Sequence, residues 1–119
     1  MKLITPELIS AFEALGDQGE VQDPIVVAKF FNPVGSQTWY ATEYDKETNI
    51  CYGYVTGMAF DEWGRFSIDE MESIRLPFGL RIERDVNFTP RPFSQVVEKA
   101  RDRRIMPEQD NDQESELEQ

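Results

Sequence analysis

The chain has 119 residues, a length typical of one domain, and 39% of them are hydrophobic, which is enough to build one core. It contains no histidine and one cysteine, which excludes Ser-His-Asp and Cys-His catalysis, an intrachain disulfide and zinc held by histidine or four thiolates. Asp and Glu total 23 against 12 Lys and Arg, for a net charge of −11. Because this charge repels phosphate, we expect no direct nucleic-acid binding and a basic protein partner instead.

The negative charge is concentrated at the C-terminal end. Residues 107–119 hold six Asp and Glu and no Lys or Arg. We predict one globular domain over residues 1–106 and a disordered acidic tail over residues 107–119. No stretch reaches the roughly 18 apolar residues of a membrane span, and we expect no secretory signal, since Pro6 and Glu7 interrupt the N-terminal stretch. Since the lone Cys51 suits a reducing compartment, we expect a cytoplasmic protein.

The first predicted helix begins at Pro6 and ends before Gly16. Thr5 is a suitable N-cap, proline is favoured at the first helical position, and glycine is favoured just after the last. The spacing of four apolar residues predicts the buried stripe of this helix, which comprises Leu8, Ile9, Phe12 and Leu15.

Three strands are predicted next. Ile25–Phe31 is a short β-branched and aromatic run, typical of a central strand buried on both faces. Gln37–Tyr44 alternates, and Ile50–Phe60 follows it after a polar loop. We expect Gly53 to leave room for Trp39 or for a helix. The hairpin register that we predict pairs Tyr44 with Ile50, Thr42 with Tyr52, Ala41 with Gly53, Tyr40 with Tyr54, and Trp39 with Val55.

The second half of the chain adds shorter elements. We predict a turn at Asp61–Gly64 and a short strand at Arg65–Ser67, followed by a helix that Ser67 caps and that runs from Ile68 to about Arg75. An edge strand is predicted at Leu80–Val86 and a last helix from Ser94 to about Arg104. Together these elements predict an α+β fold. It is one domain with a mostly antiparallel sheet of four to five strands and with N-terminal, middle and C-terminal helices.

One candidate site surrounds Lys29, the only charged residue in its apolar strand. An ionised group there needs a partner or a route to solvent, so a Lys29–Glu43 ion pair or an exposed lysine tip is the structural alternative. The functional alternative is a small-ligand or catalytic site formed by Lys29, Glu43 and Asp45, with Trp39 and Tyr40 as its walls.

Two aromatic residues, Trp63 and Phe78, fall in predicted turns. At loop tips they would be partner anchors, and the alternative is that they fold back over the core. Asp61–Glu72 has the length of an EF-hand loop, but Phe66 occupies the position that requires glycine, so we expect no metal site.

Six segments between Leu8 and Arg104 carry a resemblance to known sequences. They are Pro24–Pro33, Thr38–Asp45, Tyr52-Gly53, Glu62–Ser67, Glu70–Glu72 and Gly79–Asp85. Together they resemble a family of small bacterial, plasmid and phage proteins, the domain of unknown function 2958. The resemblance brings no activity, cofactor or catalytic residue. It implies a cytosolic, often mobile-element setting, in which small acidic proteins sometimes mimic DNA to block host nucleases.

These observations favour an acidic binding module over an enzyme, and they indicate no cofactor. We expect protein–protein interaction with a basic partner, and a DNA-mimic or anti-defence role is one form of it. The alternatives are the small-ligand site or enzyme described above, and a self-associating protein that uses its tyrosine-rich strand face. The oligomeric state stays open. The candidate binding residues are Lys29, Trp39, Glu43, Asp45 and Trp63.

Overall fold

The structure, a computed structural model, describes residues 1–97. The helices are α1 (Pro6–Leu15) and α2 (Ile68–Ser73), with a 3₁₀ turn at Pro77–Gly79 and helical residues at 93–97. The strands are β1 (Ile25–Val26), β2 (Ala28–Phe31), β3 (Thr38–Asp45), β4 (Ile50–Thr56), β5 (Glu62–Ser67), β6 (Glu83–Arg84) and β7 (Arg91–Pro92). The α+β class is confirmed. The rest of the predicted last helix and the predicted acidic tail lie outside the described residues.

A five-stranded antiparallel sheet, ordered β5-β4-β3-β2-β6, carries most of the fold, and β1 pairs with β7 in a two-stranded sheet. The prediction of one strand over Ile25–Phe31 is therefore wrong, because the chain passes from one sheet to the other at Val27. Val27 is buried, and its N–H donates to the carbonyl of Ala41 at 2.8 Å. The middle strand of the sheet is β3, in contact with β2 and β4.

The helix boundaries follow their local signals. The N–H of Leu8 donates to Thr5 Oγ1 at 3.2 Å, and Gly16 follows α1 with φ 65°, as the caps predict. The N–H of Glu70 likewise donates to Ser67 Oγ at 3.2 Å. The predicted burial of Leu15 is wrong, since this residue is exposed, and α2 ends at Ser73 instead of near Arg75.

The sheet has two different faces. The core face bears Trp39, Ala41, Cys51 and Phe66, and α1 and α2 pack on it. The tyrosine face is the opposite one, and it bears Tyr40, Tyr52, Tyr54 and Trp63. Its centre is covered by a smaller cluster in which Val26, Tyr40 and Val96 are buried beside Tyr54, Phe88 and Phe93.

A β-bulge interrupts the pairing of β3 with β4. The predicted pairs Trp39–Val55, Tyr40–Tyr54 and Ala41–Gly53 are confirmed. Beyond them the register shifts by one residue at Thr42, and the remaining pairs are Glu43–Tyr52, Tyr44–Cys51 and Asp45–Ile50. The predicted pairs Thr42–Tyr52 and Tyr44–Ile50 are therefore wrong, because the sequence does not mark the extra residue.

The bulge also exchanges the faces of the residues after it. Tyr44 lies opposite Cys51 on the core face, where its ring centroid is 5.6 Å from that of Phe12. Glu43 lies opposite Tyr52 on the tyrosine face. Uninterrupted alternation predicts the reverse placement of these two side chains, with Glu43 toward the core.

The chain reverses earlier after β4 than the sequence predicts. Residues Glu62–Gly64 of the predicted turn Asp61–Gly64 are instead the first half of β5, and the bends lie at residues 57–60. Gly57 begins the reversal with φ 88°, and a Cβ there would meet the carbonyl of Ser36. The predicted edge strand Leu80–Val86 is reduced to Glu83–Arg84, although it does lie at the edge of the sheet.

Gly53 and Gly64 provide a matched pair of substitutions. A Cβ at Gly53 would meet the backbone carbonyl of Tyr40, whereas one at Gly64 has nothing within 4 Å. Gly53 therefore allows two backbones to approach, and it does not leave room for Trp39 or a helix as predicted. We expect Gly53→Ala to lower the free energy of unfolding by about 2 kcal/mol or more, because the backbone must shift.

Urea unfolding measures this effect, and Gly64→Ala is the control, expected to change stability by less than about 0.5 kcal/mol. Equal effects of the two substitutions would contradict the assignment of the close contact to Gly53.

Candidate functional site

The tyrosine face arranges its side chains in rows, because cross-strand partners point to the same side of a sheet. The first row runs across four strands through Lys29, Tyr40, Tyr54 and Trp63. The second contains Glu43, Tyr52 and Arg65, and Asp45 is in the third. Four of the five predicted binding residues therefore share this face: Lys29, Glu43, Asp45 and Trp63.

The fifth predicted residue, Trp39, lies on the other side of the sheet. It is 5% exposed, opposite Phe30 and Val55, and belongs to the core cluster. The prediction that Trp39 and Tyr40 together wall one site is wrong, because neighbouring residues of a strand point to opposite faces.

Lys29 is separated from the two predicted acidic residues. Its Nζ lies 3.8 Å from Asp85 Oδ2 and 6.0 Å from the centroid of the Tyr40 ring. The predicted Lys29–Glu43 ion pair is wrong, because β2 pairs with only the first half of β3 and places Lys29 opposite Tyr40. Lys29 and Asp85 line a cleft of about 730 Å³ that contains neither Glu43 nor Asp45.

A second cleft, which we call the acidic cleft, contains those two residues. It has a volume of about 580 Å³ and lies between the C-terminal end of α1 and the end of the β3–β4 hairpin. Tyr44 and Tyr52 contribute aromatic surface, and Arg65 is its only basic residue. The acidic side chains that line it are Glu13, Asp17, Glu43 and Asp45.

Hydrogen bonds position three of these carboxylates. Glu43 Oε2 accepts from the N–H of Gln18 at 2.9 Å. Asp17 Oδ1 and Asp45 Oδ1 each accept from the N–H two residues later, at 2.7 and 2.9 Å. Such Asx turns fix the direction of an aspartate on a loop. Within residues 1–97, no group of three or more Cys, Asp or Glu is arranged to hold a metal ion.

Exposed aromatic rings adjoin the acidic cleft. Tyr52 and Trp63 are 38% and 37% exposed, and their rings stack with centroids 5.8 Å apart. The Trp63 centroid is also 4.6 Å from that of Phe93, so the indole is fixed on the sheet. Trp63 is thus a strand residue instead of the predicted loop tip. Phe78 does occupy a loop tip, where it is 92% exposed with φ 64°.

Gln18 supports this region from the loop between α1 and β1. The side chain is 5% exposed, and its Nε2 donates to the carbonyls of Ile25 and Thr42, each at 2.9 Å. Its Oε1 accepts from the N–H of Ile25 at 2.7 Å. Gln18 therefore joins β1 to the bulge in β3, and its backbone N–H positions Glu43. No local sequence signal distinguishes this glutamine from an exposed one.

Burial favours the neutral forms of two groups that line the acidic cleft, Cys51 and Tyr44. Burial raises the pKa of Cys51 to about 12. The pKa of Tyr44 is also raised, by burial first, then by its electrostatic interaction with Cys51 and by the negative charge of Asp69. A neutral, buried thiol is a poor nucleophile, so Cys51 has a packing role here.

These features define an acidic α+β domain with a partly exposed aromatic sheet face. The family model described as "Protein of unknown function (DUF2958)" matches residues 3–106, and the chain belongs to this family, as the resemblance implied. No curated protein and no solved structure matches the chain. None of the helices in residues 1–97 has the length and apolar character needed to cross a membrane.

The support that Gln18 gives to the bulge is testable by Gln18→Ala. We expect this substitution to lower the free energy of unfolding by about 2–4 kcal/mol, because it removes three hydrogen bonds and leaves buried backbone groups without partners. Chemical denaturation measures the loss. Gln22→Ala, at an exposed position of the same loop, is the control and should be nearly neutral. A neutral Gln18→Ala would show that the bulge does not need this side chain.

Proposed function

We propose that the protein is a binding module whose acidic cleft receives a basic segment of a partner protein. The observation that carries the proposal is the meeting of four carboxylates with the exposed, fixed ring of Tyr52 in one cleft. Lysine and arginine side chains are recognised by this combination, since carboxylates attract the charge and an aromatic face attracts the cation.

The overall charge supports a basic partner. Residues 1–97 hold 15 Asp and Glu against eight Lys and Arg, a net charge of −7. Four acidic residues and one basic residue line the acidic cleft. The nearby Lys46 places its Nζ 3.1 Å from Glu13 Oε2, and both side chains are more than half exposed. An ion pair this exposed is weak, so a partner's cation can displace Lys46 at little cost.

The aromatic part of the cleft adds specificity to this attraction. Tyr52 stacks on Trp63, and Trp63 packs on Phe93, so the tyrosine ring is held without an incoming ligand. A preorganised ring loses little entropy when a cation settles on it. This arrangement favours guanidinium groups, which stack flat on aromatic rings, over ammonium groups.

A binding role also fits the chemistry of the remaining side chains. Lys29 is held by Asp85 in a separate cleft, and Cys51 is buried as a neutral thiol. The catalytic alternative needs Lys29 beside Glu43 and Asp45, and they line different clefts. We further propose that the protein is encoded by a phage or other mobile element and acts in the reducing cytosol. A DNA-mimic or anti-defence role is compatible with an acidic surface that meets basic proteins.

Neutralising the acidic cleft tests the proposal with a hexa-arginine peptide as the probe. We expect the double variant Asp17→Asn, Asp45→Asn to bind the peptide about tenfold more weakly in calorimetric titration, because two attracting charges are lost. Asparagine keeps the Asx turns, so the loops are preserved. Tyr52→Leu should weaken hexa-arginine binding severalfold with no change of charge.

The control variant Glu7→Gln, Glu83→Gln loses the same charge away from the cleft, and a hexa-glutamate peptide controls for unspecific binding. Binding should weaken as salt rises. If the control and cleft variants weaken hexa-arginine binding equally, the attraction depends only on overall charge, which would contradict a specific site.

A further inference from the structure

The edge strand β5 is the longest strand edge that residues 1–97 leave without a neighbour. In the five-stranded sheet β5 pairs with β4 on one side only, while the opposite edge strand, β6, has just two residues. β5 has six residues and contains no proline. A free edge of this length is a template for another strand.

Exposed apolar side chains surround this edge. An open groove of about 500 Å³, which we call the edge groove, lies on the core-face side of β5, between residues 58–60 and α2. Gly64 lies in it, and a Cβ there would meet nothing within 4 Å. Four of the large apolar residues that line it are more than a third exposed: Met58 at 51%, Phe60 at 76%, Trp63 at 37% and Ile74 at 38%. Apolar surface gathered in this way marks an interaction site.

We propose that β5 pairs antiparallel with β5 of a second copy of this chain, centred on Gly64, to form a two-fold symmetric dimer with a continuous ten-stranded sheet. The occupant of the edge is thus a second copy, because β5 is complementary to itself.

Symmetry restricts the registers that such a pair can adopt. The two-fold axis is perpendicular to the sheet, so the two residue numbers of each pair have an even sum. Among these registers, those centred on Gly64 and on Arg65 retain five residues of each strand, while one centred on Trp63 retains three. Centring on Arg65 would place two like charges directly opposite each other, which is unfavourable.

The register centred on Gly64 pairs opposite chemistries instead. It places Trp63 of each copy opposite Arg65 of the other, on the tyrosine face, and this contact occurs twice. An arginine beside a tryptophan ring forms a cation–π contact. Within one copy, Arg65 already lies opposite Tyr52, so its guanidinium would be enclosed by two aromatic rings. Gly64 of each copy lies opposite Gly64 of the other, where a Cβ meets nothing of its own chain within 4 Å.

The same register explains the exposed residues beside the edge groove. If the alignment is continued beyond β5, residues 58–60 of one copy lie opposite residues 68–70 of the other, at the start of α2. Met58 and Phe60 of each copy would therefore lie beside the partner's edge groove, which Met71 and Ile74 line. The contact is reciprocal, as a two-fold interface requires.

Analytical ultracentrifugation of the full chain tests the dimer. We expect the mass to rise with concentration from 13.8 kDa toward twice that value. Raising salt should strengthen the association, because it screens the repulsion between two acidic chains, whereas it should weaken hexa-arginine binding. This opposite dependence separates the two proposals. A monomer at all concentrations would overturn the dimer and leave the basic-partner proposal standing.

Arg65→Glu should weaken dimerisation by at least about tenfold, since two arginine–tryptophan contacts are lost and carboxylates replace them. Arg75→Glu, an equal charge change at an exposed position outside the edge groove, is the control. Equal effects of the two variants would contradict the interface.

The register has its own test in oxidative cross-linking. Gly64→Cys should form an intermolecular disulfide, because the two Cβ atoms face each other across the axis. Glu62→Cys should not, since each residue 62 lies opposite residue 66. The unsubstituted chain controls for Cys51, which is buried. Cross-linking of Glu62→Cys as fast as Gly64→Cys, or of neither, would overturn the register.

Discussion

The bulge at Thr42 is the local constraint on which both sides of the sheet depend. One extra residue in β3 turns Tyr44 toward Phe12 and Glu43 toward Tyr52. Without it, strict alternation would put an ionised carboxylate against the apolar core and a tyrosine in solvent, and burial of the charge would cost several kcal/mol. The core and the acidic cleft are therefore consequences of the same irregularity.

A bulge leaves backbone groups outside the ladder, and they need other partners. Gln18 supplies one by donating to the Thr42 carbonyl, and the hydroxyl of Thr42 donates to the carbonyl of Tyr52 at 3.2 Å. The same glutamine holds the backbone of Ile25. The loop after α1 thus connects the small sheet to the large one, and it positions two of the carboxylates of the acidic cleft.

The sequence predicted those features that depend on neighbouring residues. The caps Thr5, Gly16 and Ser67 act within one helical turn, and the first three hairpin pairs follow from alternation. The features it missed depend on distant contacts. Gly64 resembles a turn residue, yet it lies in a strand because β4 offers a partner at Gly53. Gln18 is polar and in a loop, and its burial follows from carbonyls seven and 24 residues away.

For the candidate site too, the sequence indicated individual residues but not the distant residues that they contact. Glu43 and Asp45 were selected as acidic residues around the end of a predicted strand and Trp63 as an aromatic residue of a predicted turn, and these three lie on one face. Their partners were mispredicted, since partners depend on register: Lys29 contacts Asp85, and Trp63 contacts Tyr52 and Phe93. Lys29 meets Asp85 because β2 pairs with β6 on one side and with only the first half of β3 on the other, and a pattern read along one strand does not specify such neighbours.

Net negative charge opposes association between copies of this domain, whereas the unpaired backbone of the β5 edge favours it. Exposed edges invite unlimited pairing, and proteins limit it with charge and with short edge strands. Here the two-residue β6 ends the sheet on one side, and the net charge of −7 over residues 1–97 separates copies that approach in other orientations. Pairing through β5 uses the only long edge in this part of the chain on both copies at once. A two-fold arrangement therefore closes on itself, because the edges that it leaves are too short to extend the sheet.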